Sequence, residues 1–380
     1  MDVVLSEEQA LFQRTIREFA TKEIAPHAAR LDATGEFPAE NIRKMAELGL
    51  TGLTIDPEYG GSGGGQLDLA IAAEEICRAC AATGSVWLAS LGLGVATIHQ
   101  FGSEAQKKQY LPPLTAGEHV SAFGLTEPNS GSDAAALQLS ATRQGDNYVL
   151  NGSKMFITNG GVAETTVVFA TQDKSQRARG ISAFIVEKDT PGFVATKRLE
   201  KMGIHASPTA ELVFDNVVIP AANRIGEEGL GFKYAMQILV ASRIGVASQG
   251  LGVARAALEE ATAYAKQRMT FGKPIADHQA IQFMLADMAT QLEAARLLVY
   301  RAASLHDKGL PFTKEASMAK LYASEAAKQI ADKAVQIHGG YGYIREFAVE
   351  RLYRDARIIS LYEGTSEIQR LIIARNLLAD

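Results

Sequence analysis

Tyr148-Val-Leu-Asn-Gly-Ser-Lys-Met-Phe-Ile157 is the most telling stretch of this chain. Two apolar runs, Tyr148-Val-Leu150 and Lys154-Met-Phe-Ile157, flank Asn151-Gly152, and Asn-Gly between such runs predicts a β-hairpin. Further short runs follow at Thr165-Thr-Val-Val-Phe169, Ile181-Ser-Ala-Phe-Ile-Val186 and Glu211-Leu-Val-Phe214, with Pro191-Gly192 as a turn signal. No helical pattern interrupts them. A parallel sheet needs crossover helices, so the spacing predicts a middle antiparallel β domain over residues 121–228.

On either side the period changes. Leu11, Phe12, Ile16 and Phe19 recur at helical spacing, and a second helix near Ala39 to Leu48 stops at Gly49, giving an N-terminal all-α domain over 1–120. Beyond it, Ile281, Met284, Leu285, Met288, Leu292, Ala295 and Val299 trace one apolar stripe. The next helix is rich in alanine from Ala316 to Ala334, which allows close helix approach. Connections near Gly272-Lys-Pro274 and Gly309-Leu-Pro311 then predict a C-terminal four-helix bundle over 229–380. The expected class is α+β, multidomain.

Composition narrows the functions. The 380 residues exceed one ordinary core, and 47% hydrophobic with 21% charged residues suits a globular chain. A net charge of −5 offers no general attraction to nucleic acid or an anionic membrane. No uninterrupted apolar stretch approaches the length needed to cross a bilayer, since Arg243 and Arg255 interrupt the best candidate, so no membrane span is expected. Met1-Asp2-Val3-Val4 carries no signal or transit pattern, so a cytoplasmic location is expected, or the mitochondrial matrix for a processed chain. Cys77 and Cys80 cannot build a zinc site by themselves and read as a packed pair. The seven histidines form no metal-ligand pair, and there is no GxSxG elbow, Walker loop or GxGxxG fingerprint. Metal chemistry, phosphoryl transfer and a Rossmann cofactor site are therefore not expected.

Three segments hold more polar chemistry than a core requires. Gly124-Leu-Thr-Glu-Pro-Asn-Ser-Gly-Ser-Asp133 crowds hydroxyls, carboxylates and glycine at the entrance to the β domain, although Pro-Asn and Ser-Gly also suit a plain turn. Arg268-Met-Thr-Phe-Gly272 precedes His278-Gln279, and Arg268 also suits a cation in the last helical turn. Leu361-Tyr-Glu-Gly-Thr-Ser-Glu-Ile-Gln369 sets Glu363 between Tyr362 and Gly364, where a glutamate also suits the start of the final helix.

In order along the chain, Thr126–Asp133, Asn151-Gly-Ser-Lys-Met-Phe-Ile-Thr-Asn159, Arg268-x-x-Phe-Gly272, Gln336-Ile-His-Gly-Gly340 and Tyr362-Glu-Gly-Thr-Ser366 resemble the acyl-CoA dehydrogenase family over essentially the whole length. That resemblance implies FAD bound between β domain and bundle. Leu125, Thr126, Gly131 and Ser132 would line the flavin and pyrophosphate, and Phe156 and Thr158 would cover the ring system, Phe156 standing where many relatives carry Trp. Arg268, Phe271, Gln279, Gln336 and Gly340 would hold the ADP half across a dimer interface, and Thr365 would also touch the cofactor. Glu363 would be the base, with Ser132, Arg243, Tyr362 and Gly364 near substrate. Branches of the family that place the acid on an earlier helix do so at a position corresponding to Ser242, which is not acidic. Arg243 also suits an ordinary buried pair.

The implied reaction is α,β-dehydrogenation of a short- to medium-chain acyl-CoA to a trans-2-enoyl thioester. Hydride passes to flavin N5 and electrons go on to an electron-transferring flavoprotein, in β-oxidation or branched-chain catabolism. Trp87 could shorten the acyl tunnel or face the core. A homotetramer is implied by the same likeness. Alternatives on this scaffold are an acyl-CoA or nitroalkane oxidase, a dehydrogenase of carrier-protein thioesters, and a flavin-bearing subunit without turnover.

Overall fold

The computed structural model describes residues 5–379. The chain opens with α1 (Glu7–Phe19), started by a reciprocal cap between Ser6 and Gln9. Helices α2 (Ala28–Thr34) and α3 (Ala39–Glu47) end at Gly35 and Gly49, both in the left-handed region that stops a helix. Then come α4 (Gln66–Ala79), α5 (Ala81–Ala89), α6 (Ala96–Phe101) and α7 (Glu104–Thr115). With the π-turn between α5 and α6, Ala81–Phe101 is long and apolar enough to cross a membrane, contrary to the sequence expectation. Its apolarity serves the core, because 78% of that window is buried inside the protein.

The middle of the chain forms β1 (Ser121–Gly124), β2 (Ser140–Gln144), β3 (Asn147–Thr158), β4 (Thr165–Thr171), β5 (Ile181–Glu187), β6 (Phe193–Arg198), β7 (Thr209–Pro220) and β8 (Arg224–Ile225). The strand order is β6-β7-β3-β2-β4-β5-β8, with β1 paired to β4. The expected hairpin at Asn151-Gly152 is corrected: β3 runs straight through it, and the turn lies one loop earlier, between Gln144 and Asn147. Gly152 instead marks a bulge against β7. A Cβ there would come within 3.1 Å of the Leu139 backbone, and its φ of +140° also favours glycine. Nor is the sheet wholly antiparallel, since β1 pairs with β4 in parallel and β2 touches β4 in parallel at Ser140 and Thr171.

The C-terminal part holds α8 (Gly231–Gln267), a small ribbon of β9 (Met269–Thr270) and β10 (Lys273–Pro274), then α9 (Gln279–Asp307), α10 (Thr313–His338), α11 (Ala348–Ile359) and α12 (Ser366–Leu378). Helices α8, α9, α10 and α11 make the bundle, and α12 lies on α10. Close approach needs small residues: a Cβ on Gly250 of α8 would meet the Ala323 carbonyl of α10 at 3.1 Å.

Charged groups fasten the N-terminal helices to this bundle. Glu74 and Glu75 of α4 are fully buried, and Arg255 of α8 pairs with both at 3.2 and 2.8 Å. Arg296 of α9 adds a 2.7 Å bond to Glu74. At the other end of α4, the Asp307 carboxylate accepts from the N–H groups of Gln66 and Leu67 at 2.7 and 2.9 Å, capping a helix 240 residues away. The β domain is tied in by Asn159, which is buried and donates to Val86 O on α5 at 3.0 Å and Ser121 O at 3.1 Å.

Candidate active site

Glu363 sits in the six-residue connection from α11 to α12. Among the described residues only seven non-glycines have positive φ, and three of them, Phe156 (+60°), Phe271 (+50°) and Glu363 (+52°), are residues that the sequence singled out. Such backbone costs roughly 1–3 kcal/mol each and persists only where the surroundings enforce it. Around Glu363 the enforcement is visible. Gly364 follows at φ +94°, and its carbonyl accepts from Lys320 Nζ of α10 at 2.7 Å and from Gln369 Nε2 at 2.9 Å. The Tyr362 hydroxyl donates to Gln249 Oε1 of α8, and Gln249 Nε2 donates to Ser85 Oγ of α5 at 3.1 Å. Thr365 starts α12, its hydroxyl accepting from Ile368 N–H at 3.4 Å.

Three groups face the Glu363 carboxyl. Ser242 Oγ of α8 donates to Oε2 at 2.5 Å, and the cationic Lys320 and Arg243 act on it through space. Burial dominates nonetheless and pushes the carboxyl up to about 7, with Ser242, Lys320 and Arg243 pulling the other way. Arg243 is 5% exposed, and its Nε and Nη1 meet no hydrogen-bond partner. Burial lowers that guanidinium to about 10 against the upward pull of Glu363. An unpaired buried cation beside a carboxylate held near neutrality marks this place as the candidate site, because the fold leaves Arg243 Nε and Nη1 without partners.

The Thr126–Asp133 loop leaves β1 and is pinned by a buried ion pair. Glu127 accepts from Lys154 Nζ at 2.7 Å and from the N–H groups of Gln138 and Leu139 at 2.5 and 2.9 Å. Lys154 is fully buried and also donates to Leu125 O at 3.2 Å; burial lowers it to about 8. Met155 N–H donates to Thr126 O at 2.8 Å. The result is an open rim: Leu125 is buried, Thr126 half-buried, Gly131 and Ser132 exposed, and nothing lies within 4 Å of a Cβ added at Gly131. Two residues along β3 from Lys154, Phe156 is thrown out at a bulge with 66% of its surface exposed, and Thr158 is half-buried.

A second concavity of about 470 Å³ lies where α8 meets the end of α10. Arg268 and Gly340 line it with Tyr264, His338 and Tyr341, and the guanidinium stands 5.4 Å from the Tyr341 ring centre. Phe271, 96% exposed, and the exposed Gln279 and Gln336 are not part of its lining. Trp87 is settled as a core residue: it is 1% exposed and donates from Nε1 to Leu50 O at 2.8 Å. Cys77 and Cys80 are buried thiols whose titration burial pushes upward.

The fold thus gathers Glu363, Ser242, Arg243, Tyr362 and Gly364 at one place. Positioning groups that carried no role in the sequence reading join them: Lys320, Gln249 and Gln369 behind the loop, and Glu127 with Lys154 behind the β rim. Lys154 lay inside a quoted motif, and an alternating strand that buries a lysine was its available signal. Lys320 stood in an alanine-rich helix and gave none.

The acyl-CoA dehydrogenase N-terminal, middle and C-terminal domain descriptions match residues 6–118, 122–217 and 229–378. A short-chain specific acyl-CoA dehydrogenase of Clostridium acetobutylicum is 49% identical over 374 residues, 98% of this chain and 99% of that one. The butyryl-CoA dehydrogenase structure from Megasphaera elsdenii superposes with a TM-score of 0.97 at 48% identity, covering 100% of both chains. A chain solved in a study of the electron transferring flavoprotein of Acidaminococcus fermentans superposes with a TM-score of 0.98, again at 48% identity and 100% of both chains.

Proposed function

Since the chain belongs to the acyl-CoA dehydrogenase family, an FAD-dependent oxidoreductase family, we propose that it oxidises short-chain acyl-CoA with Glu363 as the base. The observation that carries this reading is the Glu363 carboxyl, half-buried, held near neutrality and fixed by a strained backbone turn. A base of this strength is about half ionised at neutral pH and is far stronger than an exposed glutamate.

In this reading the thioester lies along the loop with its α-carbon facing Glu363. Among the described residues the Glu363 N–H donates to no protein acceptor, so it is free to polarise the thioester carbonyl. The carboxylate takes the α-proton, the β-hydrogen leaves with its electron pair, and the double bond forms between the two carbons. Bound FAD supplies the acceptor for that hydride. Arg243 compensates the charge that Glu363 holds before proton transfer.

The residues present fit FAD. Open space surrounds Gly131, Gly339 and Gly340, where backbone can approach a pyrophosphate closely. Phe156 and Phe271 offer aromatic faces that the isolated chain leaves in water. Leu125, Thr126, Gly131, Ser132, Phe156 and Thr158 would hold the flavin half. Arg268, Phe271, Gln279, Gln336 and Gly340 would hold the ADP half of a neighbouring copy, and Thr365 would contact the cofactor. Exposed Leu371, Leu377 and Leu378 on α12 support assembly into the homotetramer proposed here. Electrons would then pass to an electron-transferring flavoprotein, a reading supported by the Acidaminococcus relative.

Anaerobic titration of the yellow protein with butyryl-, isobutyryl-, hexanoyl- and dodecanoyl-CoA tests the proposal. Fast bleaching by the short thioesters is expected. Bleaching by dodecanoyl-CoA alone would overturn the chain-length reading, and bleaching by none would overturn the acyl-CoA reading of the site.

A further inference from the structure

Lys320 is an expensive residue to keep. It is fully buried on α10, and ammonium groups are almost never buried without a task or a partner. Its neighbours do not form an ordinary ion pair: the hydrogen bond goes to a backbone carbonyl, Gly364 O, at 2.7 Å. The charged groups around it are Glu363 in the loop, Arg243 on α8, Glu325 on its own helix and Glu367 on α12. Glu325 is engaged elsewhere, with Lys328 at 2.8 Å and the Ser366 hydroxyl at 2.7 Å.

We propose that Lys320 is a positioning residue for the reaction, clamping the carbonyl that follows the base and setting a positive charge beside the Glu363 carboxylate. This inference rests on the placement of Glu363 in the site and deepens that reading. The clamp has a mechanical reason. Glu363 and Gly364 both occupy positive φ, and the one carbonyl bonded by Lys320 and Gln369 closes that pair of left-handed residues. Gln369 supplies a neutral donor, whereas Lys320 supplies a donor and a charge. The charge has an electrostatic reason. Burial favours the protonated form of Glu363, and a cation held by the same loop opposes it, in step with the Ser242 hydroxyl and Arg243. Burial in turn lowers Lys320 to about 8, with Glu363, Glu325 and Glu367 raising it and Arg243 lowering it further.

Two substitutions separate the roles in the FAD-loaded protein. Lys320→Met removes donor and charge, and Lys320→Gln keeps a donor without charge. The titration of Glu363 itself is read by infrared difference spectroscopy, as the carboxyl band that Glu363→Gln abolishes. Removing a nearby cation favours the neutral carboxyl, so both variants should raise that midpoint by about one pH unit. Only Lys320→Met should also slow butyryl-CoA bleaching on the high-pH plateau, by about tenfold, because only it leaves the Gly364 carbonyl to Gln369 alone. A midpoint that stays in place in both variants overturns the charge role, and a plateau equal in all three proteins overturns the clamp. Because the infrared midpoint needs no turnover, failure of Glu363 as the base would show separately, as normal bleaching in Glu363→Gln.

Discussion

Ser242 on α8 and Glu363 before α12 lie 121 residues apart and meet through a 2.5 Å hydrogen bond, the serine hydroxyl donating to the carboxylate. The long helix and the short connection thus face each other across the site. Ser242, a hydroxyl rather than an acid, thereby stabilises the ionised form of the Glu363 carboxyl.

Ser242→Ala therefore removes a donor to the ionised form, which raises the Glu363 midpoint. The sign follows directly: the base is ionised only at higher pH, so butyryl-CoA reduction near pH 6 falls more than near pH 8. A shift of about one unit is expected in the pH profile of anaerobic flavin reduction. An unshifted profile would show that the hydroxyl does not govern the carboxyl.

Glu363→Gln keeps the shape of the loop and removes the proton acceptor. The protein should remain yellow while stopped-flow bleaching slows by about 10²–10⁴-fold, the usual worth of a general base. A rate within threefold of the wild type would place the base elsewhere.

Glu127 and Lys154 form a buried pair at 2.7 Å behind the rim proposed to hold the flavin. Glu127→Gln or Lys154→Met alone leaves an uncompensated buried charge and should cost about 3–5 kcal/mol, seen as a lower Tm and early FAD release. The double variant should recover part of that loss, because neither charge remains. Additive losses would mean that the two residues act independently.

Asp355 of α11 is buried and accepts from Ile204 N–H at 2.5 Å, and burial pushes its carboxyl up to about 6. The fold binds that proton more tightly than the unfolded chain does. Its contribution is present below about pH 4 and is lost as pH rises through about 6, at most on the order of 3 kcal/mol. Asp355→Asn keeps an acceptor without the charge, so the Tm difference, variant minus wild type, should grow in the variant's favour from pH 4 to pH 7. A constant difference would contradict the assignment.

Arg268→Ala removes the cation over Tyr341 at the mouth of the second concavity. FAD should be lost more readily on dilution, by about tenfold in the apparent dissociation constant. Unchanged retention, measured by flavin fluorescence after gel filtration, would remove Arg268 from the cofactor site.

The order of helices, strands and helices was legible in the sequence because it depends on local periodicity, which repeats every two or 3.6 residues wherever it occurs. The three polar segments stood out for the same local reason: glycine, proline and hydroxyl-bearing residues concentrate where the backbone must turn. Asn151-Gly152 shows where local reading ends. The same dipeptide suits a turn or a bulge, and Leu139 packing against Gly152 selected the bulge. Trp87 likewise suited a tunnel wall or a core, and Leu50 O at 2.8 Å decided for the core. What only the tertiary structure decided is the electrostatic state of the site. Lys320, Ser242 and Arg243 reach Glu363 from other helices, and the burial that raises its carboxyl to about 7 belongs to the packed whole. Sequence alone determined that a glutamate would sit in a loop just before the final helix. Packing determined that its carboxyl would be held near neutrality, because desolvation and long-range charge exist only once distant residues share one interior.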